Sequence, residues 1–113
     1  MTIGGFFTGG DALRSGSSLP QEAHVIAVFC SRVADGFDAK SNWENVTDRF
    51  FMRIEQNDEH IESYKSLVES FGKGRLNSYI GRWIKLHYNL EPLKLMSSPQ
   101  SRLITAYTSF RKV

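Results

Sequence analysis

Cysteine is almost missing from this chain: Cys30 is the single one among 113 residues. One thiol excludes an internal disulfide and fits a reducing compartment. Long apolar runs are missing as well. The longest, Val25–Cys30, covers six residues, against the roughly 20 that a helix needs to cross a bilayer. No basic segment opens the chain, and glycine breaks up its early apolar residues, so the start does not read as a secretory signal. The expected location is cytoplasmic, with no membrane partner.

Acidic residues are scarce in one part of the chain only. From Met1 to Gly72 there are six Lys/Arg against eleven Asp/Glu, a net of −5. From Lys73 to Val113 there are eight Lys/Arg against Glu91 alone, a net of +7. The overall +2 therefore hides a strongly polar distribution. Such asymmetry points to a polyanionic partner for the basic end, or to association of opposite ends between copies.

What is present fits a folded domain. A 41% hydrophobic and 23% charged composition is ordinary for a globular protein. Eight Phe, four Tyr and two Trp supply the apolar area that a short chain otherwise lacks. Five of the nine glycines fall within residues 1–19, with Ser15, Ser17 and Ser18. That segment is expected to be a flexible arm, with residues 20–113 forming the helical domain. Ile3, Phe6, Phe7 and Leu13 would let the arm pack on its own domain or on a neighbour.

Periodicity predicts helices. Pro20 suits a first turn, and Ala23, Ile26, Ala27, Cys30, Val33 and Ala34 recur at helical spacing up to a stop at Gly36; with Val25 and Phe29 added, this helix should be largely buried. Ser41-Asn42-Trp43-Glu44 has the pattern of a capping box, followed by Val46, Phe50, Phe51 and Ile54 on one face. Helical character resumes after Asn57 with Ile61, Tyr64, Leu67, Val68 and Phe71 inward; a break near Gln56–Asp58 and one long helix are both open. Gly72-Lys73-Gly74 ends that segment. A fourth helix over Leu76–Asn89 carries apolar residues on more than one face, including Leu86, and should be the central packing element. Leu90–Ser97, with Pro92, reads as a connector. Ser98-Pro99 then looks like an N-cap and first turn, which predicts a last helix, although the β-branched and aromatic content of Leu103–Phe110 also suits a strand.

The expected fold is thus all-α: a single compact domain of four or five helices with a Gly/Ser-rich arm. Its expected core is Ile26, Phe29, Cys30, Phe50, Ile54, Leu67, Phe71, Ile80, Trp83, Ile84, Leu103 and Tyr107.

The familiar catalytic and metal-binding patterns fail one by one. His60-Ile61-Glu62 matches half of a zinc deaminase signature, but the P-C-x-x-C half is absent. His24, His60 and His87 are too widely spaced for a ligand set, and His24 and His87 fall beside apolar helix faces, where a core histidine is expected. Gly72-Lys73-Gly74-Arg75 lacks the Ser/Thr and the earlier glycine of a P-loop. No G-x-S-x-G elbow exists. Cys30 sits mid-helix among apolar neighbours, where a thiol behaves as a small hydrophobe. Asp48, Glu55, Asp58, Glu59 and Glu62 read as a solvated acidic face. No enzyme, cofactor or metal site is expected.

The basic half remains. The fourth helix carries a polar stripe of Arg75, Ser78, Arg82, Lys85 and Asn89, stepping by three and four, and the last element would present Arg102, Thr105, Ser109 and Lys112. Cations with hydroxyls on shared outer faces are the residue set that grips phosphates. The expected nucleic-acid-binding residues are Lys73, Arg75, Arg82, Lys85, Arg102, Thr105, Ser109, Arg111 and Lys112. Expected partners are DNA or RNA, or alternatively a second copy held through the apolar arm and the oppositely charged halves.

Overall fold

The structure is a computed structural model and describes residues 20–40 and 42–113; the expected arm, with Phe6 and Phe7, lies outside the described residues. Helix α1 spans Pro20–Ala34, α2 Val46–Gln56, α3 Asp58–Phe71 and α4 Lys73–His87, followed by strands β1 (Leu90–Ser97) and β2 (Tyr107–Lys112). The strands form a two-stranded antiparallel sheet. The fold is therefore helix-dominated but mixed, and the all-α expectation is corrected at its last third.

The hairpin replaces the expected connector and last helix. Leu90 pairs with Lys112, Glu91 with Arg111, Pro92 with Phe110, Met96 with Thr108 and Ser97 with Tyr107. The register slips between Pro92 and Met96, where Lys94 takes a positive φ of 60°. Pro92 is tolerated because in a two-stranded sheet every strand is an edge, and an edge can spare one N–H donor. Ser98-Pro99 fails as a helix start because the N–H groups that follow are taken by another element. Asp48 of α2 accepts from Gln100 N through Oδ1 and Oδ2 at 3.1 and 3.0 Å, and from Ser101 N at 3.0 Å. One further turn pair along α2, Glu55 Oε1 accepts from Ser101 Oγ at 3.0 Å and Arg102 N at 3.1 Å. Two carboxylates at i and i+7 face the same way on a helix, so α2 clamps the loop between the strands. These acids are structural, not the solvated face the sequence suggested.

The helix boundaries follow from local chemistry. Asn57 separates α2 from α3: its backbone is extended and its side chain accepts from His60 N at 2.9 Å as an N-cap. That decides between the break and the long helix. Gly72, at φ 87°, alone separates α3 from α4, a conformation that costs a side-chain-bearing residue about 1–2 kcal/mol. Ser41 of the expected capping box lies outside the described residues, and Glu44 precedes α2. The helix begins at Val46 with Asn45 as an N-cap that makes no side-chain bond; Asn42 Oδ1 accepts from Glu44 N at 3.0 Å and folds the preceding segment into a turn. The end of α1 is capped from outside: Arg53 of α2 donates from Nε to Val33 O at 2.7 Å and through its guanidinium to Asp35 O at 2.6 Å. A planar fork suits this, because helix C-termini leave several carbonyls without partners.

The core lies where the four helices meet the hairpin. Ile26, Cys30 and Val33 of α1, Val46, Phe50, Phe51 and Ile54 of α2, and Leu76, Ile80 and Ile84 of α4 are all essentially without solvent contact. The last three recur every four residues, forming one stripe, and each contributes roughly 1.5–3 kcal/mol by its burial. Leu90 and Phe110 close the core from the sheet side. Leu67, Phe71, Trp83 and Leu103 are half-buried against it, and Tyr107 is half-exposed on the hairpin. Two expectations fail here. Helix α1 is not largely buried, since Val25 and Val28 are exposed; it packs by one face only. Leu86 points outward, at 69% exposure.

Candidate nucleic-acid interface

The nine expected contact residues divide into distinct groups. Arg75, near the start of α4, reaches Glu22 at the start of α1, with its Nη2 2.9 Å from Oε1. Arg111 pairs with Glu91 at 2.7 Å, directly across the hairpin. Lys112 donates to Tyr88 O at 2.5 Å and lies 5.3 Å over the Trp43 ring, so it caps the end of α4. Ser109 is buried, with its hydroxyl 3.3 Å from that of Ser97. Ser109 is therefore not presented to a phosphate: its side chain is buried on the sheet face opposite Phe110 and is engaged with Ser97. Lys73 and Arg102 are exposed, one at the start of α4 and the other on the loop between the strands.

Arg82 and Lys85 differ from the others. Both are exposed, neither forms an ion pair among the described residues, and both line a cavity of about 490 Å³ between α4 and the hairpin. Volumes of roughly 300–1,000 Å³ are those of small-molecule and cofactor sites. The α4 wall is Asn77, Ser78, Gly81, Arg82 and Lys85. The facing wall includes Pro92, Met96, Tyr107 and Thr108, with Thr47 and Phe51 of α2 between them. Thr105 is exposed and sits between Ile104 and Ala106, which also line the cavity. Among the described residues no Asp or Glu lines it. The α4 stripe was legible from its three- and four-residue steps; the facing wall was missed, because Leu90–Ser97 read as a connector and Tyr107 as the inner face of a helix.

The polar groups of this region have unequal freedom. Asn77 is held at both ends of its amide, accepting from Tyr64 OH at 2.8 Å and donating to Leu103 O at 3.0 Å. It ties α3, α4 and the hairpin loop together. Burial raises the pKa of Tyr64, opposed by that same hydrogen bond. Arg82 lies 6.0 Å from the Tyr79 ring. Thr47, 7% exposed, has a hydroxyl with no hydrogen-bond partner among the described residues. Leaving a buried hydroxyl unpaired costs about 1–3 kcal/mol.

The remaining candidates for chemistry are accounted for locally. Cys30 has no solvent exposure, and burial pushes its thiol up to about 12. It is neutral and cannot act as a nucleophile at physiological pH. His24 and His87 are exposed, contrary to the core placement expected of them; the His87 ring stacks on Trp83 at 4.2 Å and 12°. Among the described residues no three His, Cys, Asp or Glu side chains converge as a metal site, and no helix is long and apolar enough to cross a membrane. No protein-family model, curated protein or solved structure matches the chain, which leaves the groove's own chemistry as the guide to what it does.

Proposed function

We propose that this chain is a non-enzymatic nucleic-acid-binding protein whose contact face is the Arg82–Lys85 side of α4 and the groove beside it. One observation carries the reading: among the described residues, two cations without ion pairs flank a groove that no carboxylate lines. Elsewhere the cations of the basic half are partly spent within the chain, Arg75 on Glu22 and Arg111 on Glu91. Ser78 on α4 and Thr105 on the loop supply the hydroxyl donors that fix register on a phosphate backbone.

Binding of a labelled mixed oligonucleotide, followed by fluorescence anisotropy across a salt series, tests this. The affinity should fall steeply with salt. Arg82→Ala with Lys85→Ala should flatten the slope of log K against log salt by about 0.7–0.9 per phosphate contact removed. Lys65→Ala, an exposed cation on α3 that pairs with Glu62, should leave the slope unchanged. Absence of binding at low salt would overturn the proposal.

A second reading, self-association, is favoured by a different surface. Val25 and Val28 of α1 are 45% and 39% exposed, and with Leu67 of α3 they line a groove of about 370 Å³. A second copy would cover this face, and the exposed Asp58, Glu59 and Glu62 on α3 would meet cations of that copy. Light scattering over a hundredfold concentration range should then show mass rising with concentration, and Val25→Glu with Val28→Glu should abolish the rise. A monomer at every concentration removes this reading.

A further inference from the structure

Resting on the proposal above, we infer that the cavity between α4 and the hairpin receives one unpaired nucleobase of a single strand, with the adjoining phosphate on Arg82 and Lys85. The lining divides by chemistry as a nucleotide does. At the α4 edge stand two cations and Ser78. Deeper and across, the wall is aromatic and aliphatic: Phe51, Pro92, Met96, Tyr107 and Phe110. A phosphate alone would gain nothing from that apolar wall. A base pair inside a duplex could not enter a cavity of this size, so the base must be unpaired or extruded.

The cavity's surfaces are available for this purpose. Met96 is 68% exposed and Tyr107 is half-exposed, so a thioether and a phenol ring stand at the hairpin side. Sequence-tolerant binding of single strands is built from such ring surfaces together with a cationic edge. Thr108 accompanies them, its hydroxyl directed to Met96 Sδ at 3.4 Å, which holds the thioether against β2.

Thr47 supplies the polar contact. It lines the cavity, and its buried hydroxyl has no partner among the described residues. A threonine in a helix has two χ1 rotamers open to it, so the hydroxyl can turn toward the cavity and bond to the edge of a base. Asn77 is less free to turn, because its amide oxygen already accepts from Tyr64 and its amide nitrogen already donates to Leu103. The ligand thus completes an unsatisfied group that the fold leaves open.

The test compares affinity for a single-stranded oligonucleotide with that for a blunt duplex of the same length, using the full chain and two variants, Thr47→Val and Tyr107→Ala. The single strand should bind on the order of tenfold tighter at matched salt, and each variant should lose on the order of tenfold on the single strand, the scale of one lost stacking or base contact. Both variants should keep the wild-type salt slope, because Arg82 and Lys85 are untouched. Thr47→Val removes an unpaired buried hydroxyl without changing shape, so its thermal stability should equal or exceed that of wild type, and a lost affinity cannot then be blamed on misfolding. Nucleoside monophosphates at millimolar concentration should compete with the strand better than inorganic phosphate does. Equal binding of duplex and single strand, or unchanged single-strand affinity in both variants, overturns the base pocket and leaves the phosphate-binding reading standing. No binding of any oligonucleotide at low salt overturns both.

Discussion

Asp48→Ala should destabilise the fold by about 3 kcal/mol, on the order of 10 °C in Tm for a domain of this size. The carboxylate is 5% exposed and receives two backbone donors, Gln100 N and Ser101 N. Hydrogen bonds to an ionised acceptor contribute roughly 1.5–3 kcal/mol each, and the loss also strands donors in a poorly solvated loop. Asp48→Asn keeps the shape but weakens acceptance, and should fall between wild type and alanine. Amide hydrogen exchange would localise the effect: Gln100, Ser101 and the β1–β2 ladder should lose protection before the α4 core does. Glu55→Gln should act on the same loop, and the double variant should be less destabilised than the two changes added, because Ser101 is held by both acids and the sites are coupled. A change within 0.5 kcal/mol, the range of an ordinary surface substitution, would show that the carboxylate does not clamp the loop.

That clamp is also why the last third of the chain was illegible. Ser98-Pro99 carries a true local signal, since serine caps and proline suits a first turn. What overrode it is long-range: Asp48 lies 52 residues from Gln100, and no local pattern announces that its carboxylate will take that amide. The strand propensity of Leu103–Phe110 pointed the right way, and Tyr107–Lys112 became β2, but its partner was disguised by Pro92. The helices were legible because their apolar residues repeat at helical spacing. Ile26, Cys30 and Val33 on α1 and Leu76, Ile80 and Ile84 on α4 are the buried ones. Periodicity could not tell how wide each buried face is, which is why Val25 and Leu86 were placed on packing faces.

The candidate interface divides in the same way. Spacing placed Arg75, Ser78, Arg82 and Lys85 on one face of α4, a consequence of helix geometry. Which of those cations is compensated depended on tertiary neighbours. Glu22 stands 53 residues before Arg75, and Glu91 meets Arg111 only because the hairpin register opposes them. The groove's second wall required the hairpin, and so was invisible while that segment read as helical. Thr47 gave no signal in the sequence at all: a threonine on the inner side of a helix looks like any small core residue until its missing hydrogen bond is seen.

Alkaline pH should unfold this protein over a window set largely by Cys30. Its thiol is pushed up from 9.0 to about 12 by burial, because a thiolate among Ile26, Val33 and their neighbours would lose its hydration. The unfolded chain releases this proton near the lower value and the folded chain near the higher one. Between them the native state binds more protons than the unfolded state, so stability falls as pH rises. Below about pH 9 the contribution is fully present; by pH 12 it is gone, a loss of about 4 kcal/mol at 1.36 kcal/mol per pH unit. Tyr64 and Tyr88, both raised mainly by burial, steepen the decline above pH 10. Denaturant unfolding followed at intervals from pH 8 to 11.5 should show this slope. In Cys30→Ala the absolute stability at pH 8 should be lower, from the small cavity, yet the decline between pH 9 and the onset of tyrosine titration should nearly vanish. If Cys30→Ala and wild type lose stability in parallel across that interval, the buried thiol is not the group that limits the fold in base.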